Sequence, residues 1–332
     1  MTTYKEIKGF SIQTLTSDPS TPSAIGQLYY NSTTNTFKHV GLGGVTAGTW
    51  ASGGALNTTR KALQGFGTQT AAIAVGGQGS PSNTAQALCE AYNGSSWTEV
   101  NNVNTGKVYR GNCGTQTAGL LVGGGPVTND TEEWDGTSWT ETADYPTNIT
   151  FPQQLGVQTA AFVCGGNNNG PYVTATNTYN GTAFTGSTAI NTARAEGASA
   201  GTTTAAIVAS GNADGGVVGS TEIWNGSSWT EVNELNTARS LVGGSGTTST
   251  SMLVFAGSQN PTPYLAVTES WNGTSWTEVA DLATVRSAIG ASTNGSTALA
   301  LAFGGQTPPG LAQSITEEFT APDLSVKTIA VS

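Results

Sequence analysis

The chain has 332 residues, 45 of them glycine and only 10% charged, with a formal net charge of −10. That acidity, unbroken by any Lys/Arg cluster, excludes the electrostatic footprint of a nucleic-acid binder, and short dispersed apolar runs exclude a membrane-spanning helix. The abundance of Gly, Thr, Ser, Asn and Ala suits short strands joined by tight turns, so an all-β fold is expected.

Residues 1–8 lack the apolar core of a secretory signal, which implies synthesis and folding in a cytoplasm. Residues 4–15 read as an extended strand, and 26–40 alternate around a polar turn as a β-hairpin. His39, the only histidine, has no neighbouring carboxylate in sequence. A catalytic triad and a zinc site built on several histidines are thereby excluded.

From residue 50 the chain repeats. Trp50, Trp97, Trp139, Phe184, Trp229 and Trp276 recur at spacings of 47, 42, 45, 45 and 47. Five residues before all but the first stands another aromatic, Tyr92, Trp134, Tyr179, Trp224 or Trp271, and between the two sits Asn-Gly or Asp-Gly. Such dipeptides mark a tight hairpin turn. About ten residues after each Trp position comes a basic residue, Arg60, Lys107, Arg194, Arg239 or Arg286, with Phe151 standing in once after a two-residue insertion. An alternating apolar strand follows and ends on a small pair, Gly76-Gly77 in the first copy, with Ser210-Gly211 and Ala256-Gly257 as variants. Each copy therefore reads as four strands: a after the basic residue, b up to the small pair, c up to the first aromatic, and d bearing the second. A four-stranded unit of this size must stack on neighbours to bury both faces. The last copy stops at Phe319 without its Trp, so the strand bearing Trp50 is expected to pair there and close the sixth unit.

The repeated aromatics read as packing between units, because a residue found at one place in nearly every copy serves the scaffold. Cys89, Cys113 and Cys164 fall where sister copies carry small apolar residues, so they read as core groups and not as a disulfide framework. Two residues before the strand c aromatic stand Glu90, Glu132, Glu222, Glu269 and Glu317, and in the copy with Phe151 the position is Asn177. Both charges vanish together, which predicts five partly buried Arg/Lys to Glu contacts within repeats, serving register. A second carboxylate on strand d, at Glu99, Glu141, Glu231 and Glu278, would blunt edge-to-edge pairing.

The order of Arg, Gly-Gly, an aromatic and Trp, recurring six times over residues 50 to 320, resembles the kelch repeat. The resemblance implies an all-β, six-bladed kelch-type β-propeller with four antiparallel strands per blade, closed by the Trp50 strand. The chain then divides into a strand and hairpin docking segment at 1–49, the propeller at 50–320 and a C-terminal strand or tail at 321–332. Some kelch propellers house a copper oxidase, but that site needs two histidine ligands. The acidic run 130–135 alternates between opposite strand faces, which argues against calcium. Neither an enzyme, a cofactor nor a metal is expected.

The c to d turns are nearly uniform, whereas the b to c connections vary. That variable face is where binding is expected, with Pro81, Asn129, Asp130, Tyr172, Asp214, Tyr264 and Pro308 as its candidates, the two tyrosines being taken as exposed. The opening segment followed by Gly-Thr-Trp-Ala-Ser-Gly-Gly and Asn-Thr-x-Arg repeats is similar in style to kelch-like virion proteins of marine phages. That similarity implies a tail-fibre, tail-tip or capsid-decoration part, present in symmetric copies. It would bind other virion proteins through 1–49 and 321–332, and a host-surface glycan or protein through the loops, with no nucleic acid and no membrane insertion. The alternative is a cellular carbohydrate- or protein-binding kelch propeller, or after it a propeller enzyme, with a pocket at the ring axis.

Overall fold

The computed structural model describes residues 12–19, 27–42, 47–322 and 324–328. These form strands and turns and no helix. The chain divides into two compact units, 1–48 with 321–332 and, separately, 49–320.

In the smaller unit the strands Gln13–Leu15, Leu28–Asn31, Thr36–Leu42 and Leu324–Thr328 lie in that order in one sheet. The first pair is parallel and the others antiparallel. The hairpin forms where alternation around residues 32–35 places it. The tail, read separately from the sequence, pairs with the hairpin. Residues 4–11 of the expected first strand lie outside the described residues.

Asp18 ties this sheet together. Its carboxylate accepts hydrogen bonds from Lys38 Nζ at 2.7 Å, the Tyr29 hydroxyl at 2.8 Å and Asn31 Nδ2 at 2.6 Å. These bonds, Lys38 foremost, hold its pKa down from 3.8 to about 2. A carboxylate depressed in the folded state contributes stability above its unfolded pKa and loses it as pH falls through the folded value. A change in the near-ultraviolet signal of Tyr29 is therefore expected between pH 4 and pH 2, and Asp18→Asn should abolish it. An unchanged transition in that variant would remove the carboxylate as its cause.

Residues 49–320 hold six four-stranded antiparallel sheets. The first comprises Gln64–Thr68, Ala71–Val75, Cys89–Tyr92 and Trp97–Val100, in chain order from one edge to the other. Four similar sheets follow. The sixth is Gly290–Ala291, Leu299–Phe303, Thr316–Thr320 and, from the start of the unit, Thr49–Ser52. In that last pairing Trp50 stands opposite Phe319, with ring centroids 5.2 Å apart.

Strand alternation determines which neighbour each side chain meets. On Ala71–Val75, Ile73 and Val75 cluster with Leu121, Trp134 and Trp139 of the second repeat. Ala72 and Ala74 cluster with Leu301 and Phe303 of the sixth. The recurring Trp joins these inter-sheet cores at one edge. Trp50 Nε1 donates to Thr268, Trp97 Nε1 to Thr316 and Trp276 Nε1 to Thr221, each a residue of the preceding sheet. The three cysteines are buried and unpaired.

The c to d connection differs from a two-residue hairpin. Tyr92 pairs with Trp97 across four residues, Asn93 Oδ1 accepts from the amides of Ser95 and Ser96 at 3.0 and 2.9 Å, and only Gly94 has positive φ, at 91°. Asn or Asp therefore acts through its side-chain oxygen, an Asx-type turn.

The small pair ending strand b also has a clear physical role. Gly77 N donates to Lys107 O, Gly124 to Ile149, Gly166 to Arg194, Gly211 to Arg239, Gly257 to Arg286 and Gly305 back to Arg60. Each amide of the pair's second glycine thus reaches the next repeat, and the sixth returns to the first. A Cβ on Gly211 would stand 2.4 Å from Ala195 O. The first member is more permissive, since Ser210 and Ala256 adopt φ of 67° and 58° there.

Candidate functional site

The recurring charges form buried ion pairs. Arg60 Nη2 meets Glu90 Oε1 at 2.8 Å, Arg239 Nη1 meets Glu269 Oε1 at 2.5 Å and Arg286 Nη2 meets Glu317 Oε1 at 2.8 Å, while Arg194 pairs with Glu222. These pairs are wholly buried, not partly so as expected from sequence. Burial depresses each arginine, and the facing glutamate opposes that shift. The second carboxylate oxygen accepts a backbone amide from the segment leading into strand a, Asn57 N onto Glu90 at 2.7 Å being one case. The pair thereby ties this segment to strand c, which is a register function. Glu99, Glu141, Glu231 and Glu278 are exposed on the outer strands.

Two sequence assignments are corrected. Lys107 does not reach Glu132. Arg110, three residues on, takes the place at 2.5 Å, and Lys107 pairs with Asp130. A guanidinium can donate in several directions from a long stem, so a residue at a neighbouring position can fill the same slot. Nor does Phe151 stand in for the base. The homologous residue is Ile149, ten after Trp139 with no insertion, and its carbonyl accepts from Gly124 as the basic residues' carbonyls do elsewhere. In that repeat Asn177 Nδ2 donates to the Tyr145 hydroxyl at 2.7 Å. Tyr145 thus satisfies a buried amide where no ion pair exists.

The seven loop candidates scatter in environment. Pro81, Asp214 and Pro308 are exposed. Asn129 donates to Tyr145 O at 3.2 Å, and Asp130 is engaged by Lys107. Tyr172 and Tyr264, expected to be exposed, are both half-buried. Burial raises the pKa of Tyr172, and the nearby Glu196 charge adds to the shift. Tyr264 in turn acts on Tyr109. The two tyrosines therefore belong electrostatically with Glu196 and Tyr109, two members of a recurring set of residues.

Those residues lie two positions after the basic site: Ala62, Tyr109, Phe151, Glu196, Leu241 and Ala288. All six have φ between 51° and 65°, a region costly for side chains other than glycine. The strain is held by hydrogen bonds: Tyr109 N donates to Ala62 O, Phe151 to Tyr109, Glu196 to Phe151, Leu241 to Glu196, Ala288 to Leu241 and Ala62 to Ala288. One cavity of about 110 Å³ is lined by all six, and by the residues that follow each of them.

Chemically the lining is uneven. Tyr109 and Phe151 stack with centroids 4.0 Å apart. Glu196 makes no ion pair among the described residues, and burial raises its pKa above the ordinary value of 4.5. The Ser240 hydroxyl faces it without a hydrogen bond of normal geometry. Below lies a chamber of about 80 Å³ reaching Gly65, Asn112, Gln154, Ser199, Gly244 and Ala291. The longer a to b turn of the sixth repeat crosses its far end. There Asn294 Nδ2 donates to Gly156 O at 2.8 Å and Asn294 Oδ1 accepts from Gly114 N at 3.0 Å. Among the described residues no group of three or more His, Cys, Asp or Glu is placed to hold a metal ion.

No protein-family model matches the chain, and no curated protein does either. Among solved structures, YjhT, a propeller-type fold, aligns with a TM-score of 0.67 at 12% identity, covering 82% of this chain and 99% of that one. With its repeated four-stranded antiparallel sheets, the chain has an all-β fold of the β-propeller type.

Proposed function

We propose that the six sheets are the blades of a closed, six-bladed kelch-type propeller, and that the chain is a non-enzymatic virion part. In this reading it is a tail-fibre, tail-tip or capsid-decoration component that attaches to host surfaces. The closure reading rests above all on the two hydrogen-bond circuits, through the glycine pairs and through the six left-handed residues, each of which returns to its starting repeat. A binding part with an invariant scaffold is supported by the distribution of chemistry. The recurrent arginines and strand c glutamates are consumed in ion pairs, and variation concentrates in the b to c connections and at the position two residues after the basic site. The viral assignment rests on the similarity in style to kelch-like phage proteins. The terminal unit, in which N- and C-terminal strands share one sheet, is the segment offered to neighbouring virion proteins.

Imaging native particles with an antibody against this chain tests the reading. Label at symmetric, repeated positions is the expected result. A solitary monomer absent from particles, with glycosidase or oxidase turnover, would overturn it. The carbohydrate- or protein-binding alternative draws on one observation, the lined cavity shared by all six repeats.

A further inference from the structure

We propose that this cavity is a receptor for the tip of a lysine or arginine side chain: a primary ammonium or guanidinium group on a narrow stem, presented by a partner protein. The inference goes beyond the virion reading and stands or falls independently of it.

Size comes first. The mouth holds about 110 Å³ and the chamber beneath it about 80 Å³, well under the roughly 300–1,000 Å³ of sites that enclose drug-sized ligands. A slender side chain fits such a space. Next to Thr293 of its lining, Asn294 hydrogen-bonds to two other repeats and narrows the space on that side.

Charge selects a cation. Glu196 is a half-buried carboxylate at the mouth without an ion-pair partner among the described residues. The basic residue of its own repeat, Arg194, is already used by Glu222, and Arg110, which shares the lining, by Glu132. The unpartnered Nε of Arg110 does not argue for an anion, since Arg60 and Arg286 show the same unpartnered Nε elsewhere. Beside Glu196 the stacked Tyr109 and Phe151 remain half-buried at the mouth. Aromatic faces with a carboxylate attract a desolvated cation.

Hydrogen bonding agrees. Three residues of the lining, Gln64, Asn112 and Gln154, each carry a buried side-chain oxygen without a partner. The amide orientations of both glutamines are fixed, since Gln64 Nε2 donates to Ala62 O at 3.1 Å and Gln154 Nε2 to Leu120 O at 3.2 Å. These three are acceptors, against the single unmet donor on the lining, Arg110 Nε. An ammonium brings three donors and a guanidinium five.

The test uses the full chain and calorimetric titration with Nα-acetyl-lysine methylamide and Nα-acetyl-arginine methylamide. The uncharged norleucine derivative and 1,5-diaminopentane are the comparison ligands. At least one basic derivative should bind, with norleucine at least tenfold weaker. Glu196→Gln should weaken binding at least tenfold while leaving Tm at pH 7 equal or higher. The sign follows from the raised pKa, because ionising Glu196 at neutral pH opposes folding. Phe151→Leu should weaken binding severalfold. Equal binding of norleucine, undiminished binding to Glu196→Gln, or no binding at 10 mM would overturn the cation site. Tighter binding of 1,5-diaminopentane than of both derivatives would overturn the assignment to a partner's side chain.

Discussion

Replacing Arg60 with methionine should lower Tm by about 5–15 °C, corresponding to a loss of about 3–5 kcal/mol. The guanidinium is wholly buried and occupies both arms: Nη2 donates to Glu90, and Nη1 donates to the carbonyls of Gly76 and Leu88 at 2.8 Å each. Removing it strands the Glu90 carboxylate in a site shielded from water, which is costlier than losing the attraction itself. Arg60→Met combined with Glu90→Leu should therefore recover much of the loss despite deleting one more polar group. The recovery will be incomplete, because Asn57 N then loses its acceptor. Thermal denaturation of the two single variants and the double variant decides the matter. A double variant less stable than both singles would mean that the pair adds net stability as well as register.

Trp97→Ala should be nearly as damaging, about 3–5 kcal/mol, whereas Phe184→Ala at the homologous position should cost about 1–2 kcal/mol. Trp97 is 5% exposed. It packs against Phe303 at 4.8 Å and donates from Nε1 to Thr316, so it fastens the first sheet to the sixth. Phe184 is half-buried and has no indole donor. Hydrogen exchange adds a spatial readout. In Trp97→Ala, amides of Thr316–Thr320 should lose protection together with those of Trp97–Val100. Loss confined to the first sheet would mean that the indole does not couple the two.

The scaffold was legible because its signals repeat. Five copies of the Trp, four unaltered glycine pairs and five Asx-Gly turns make each unmistakable, and the missing Trp after Phe319 points directly to Trp50. The errors arose where one repeat departs from the rest. Arg110 fills the slot of Lys107 from three residues away, which spacing could not reveal, because side-chain reach, not position, decides the contact. The constant ten-residue offset from the Trp position identifies Ile149, and Phe151 has only its aromatic bulk to mark it. The lining of the shared cavity was hidden for a different reason. Tyr109, Phe151, Glu196 and Leu241 carry no common chemistry. What they share is a left-handed backbone that nothing in those residue types announces. A usable signal existed only as disagreement among repeats at one fixed offset. Asn294 was equally silent, though the longer turn that bears it was countable.

The pairing of Trp50 with Phe319 spans 269 residues of chain. Thr49–Ser52 leaves the ribosome long before Thr316–Thr320 exists, so an early strand waits with an unpaired edge through most of synthesis. Chain completion thereby becomes a checkpoint. A product that stops short of Thr316 lacks the strand that receives Trp50, leaving two open edges for proteases or for another incomplete chain to engage. Truncation is thus policed by the fold itself, since only a chain made through to Phe319 can pair the strand with which the repeats began.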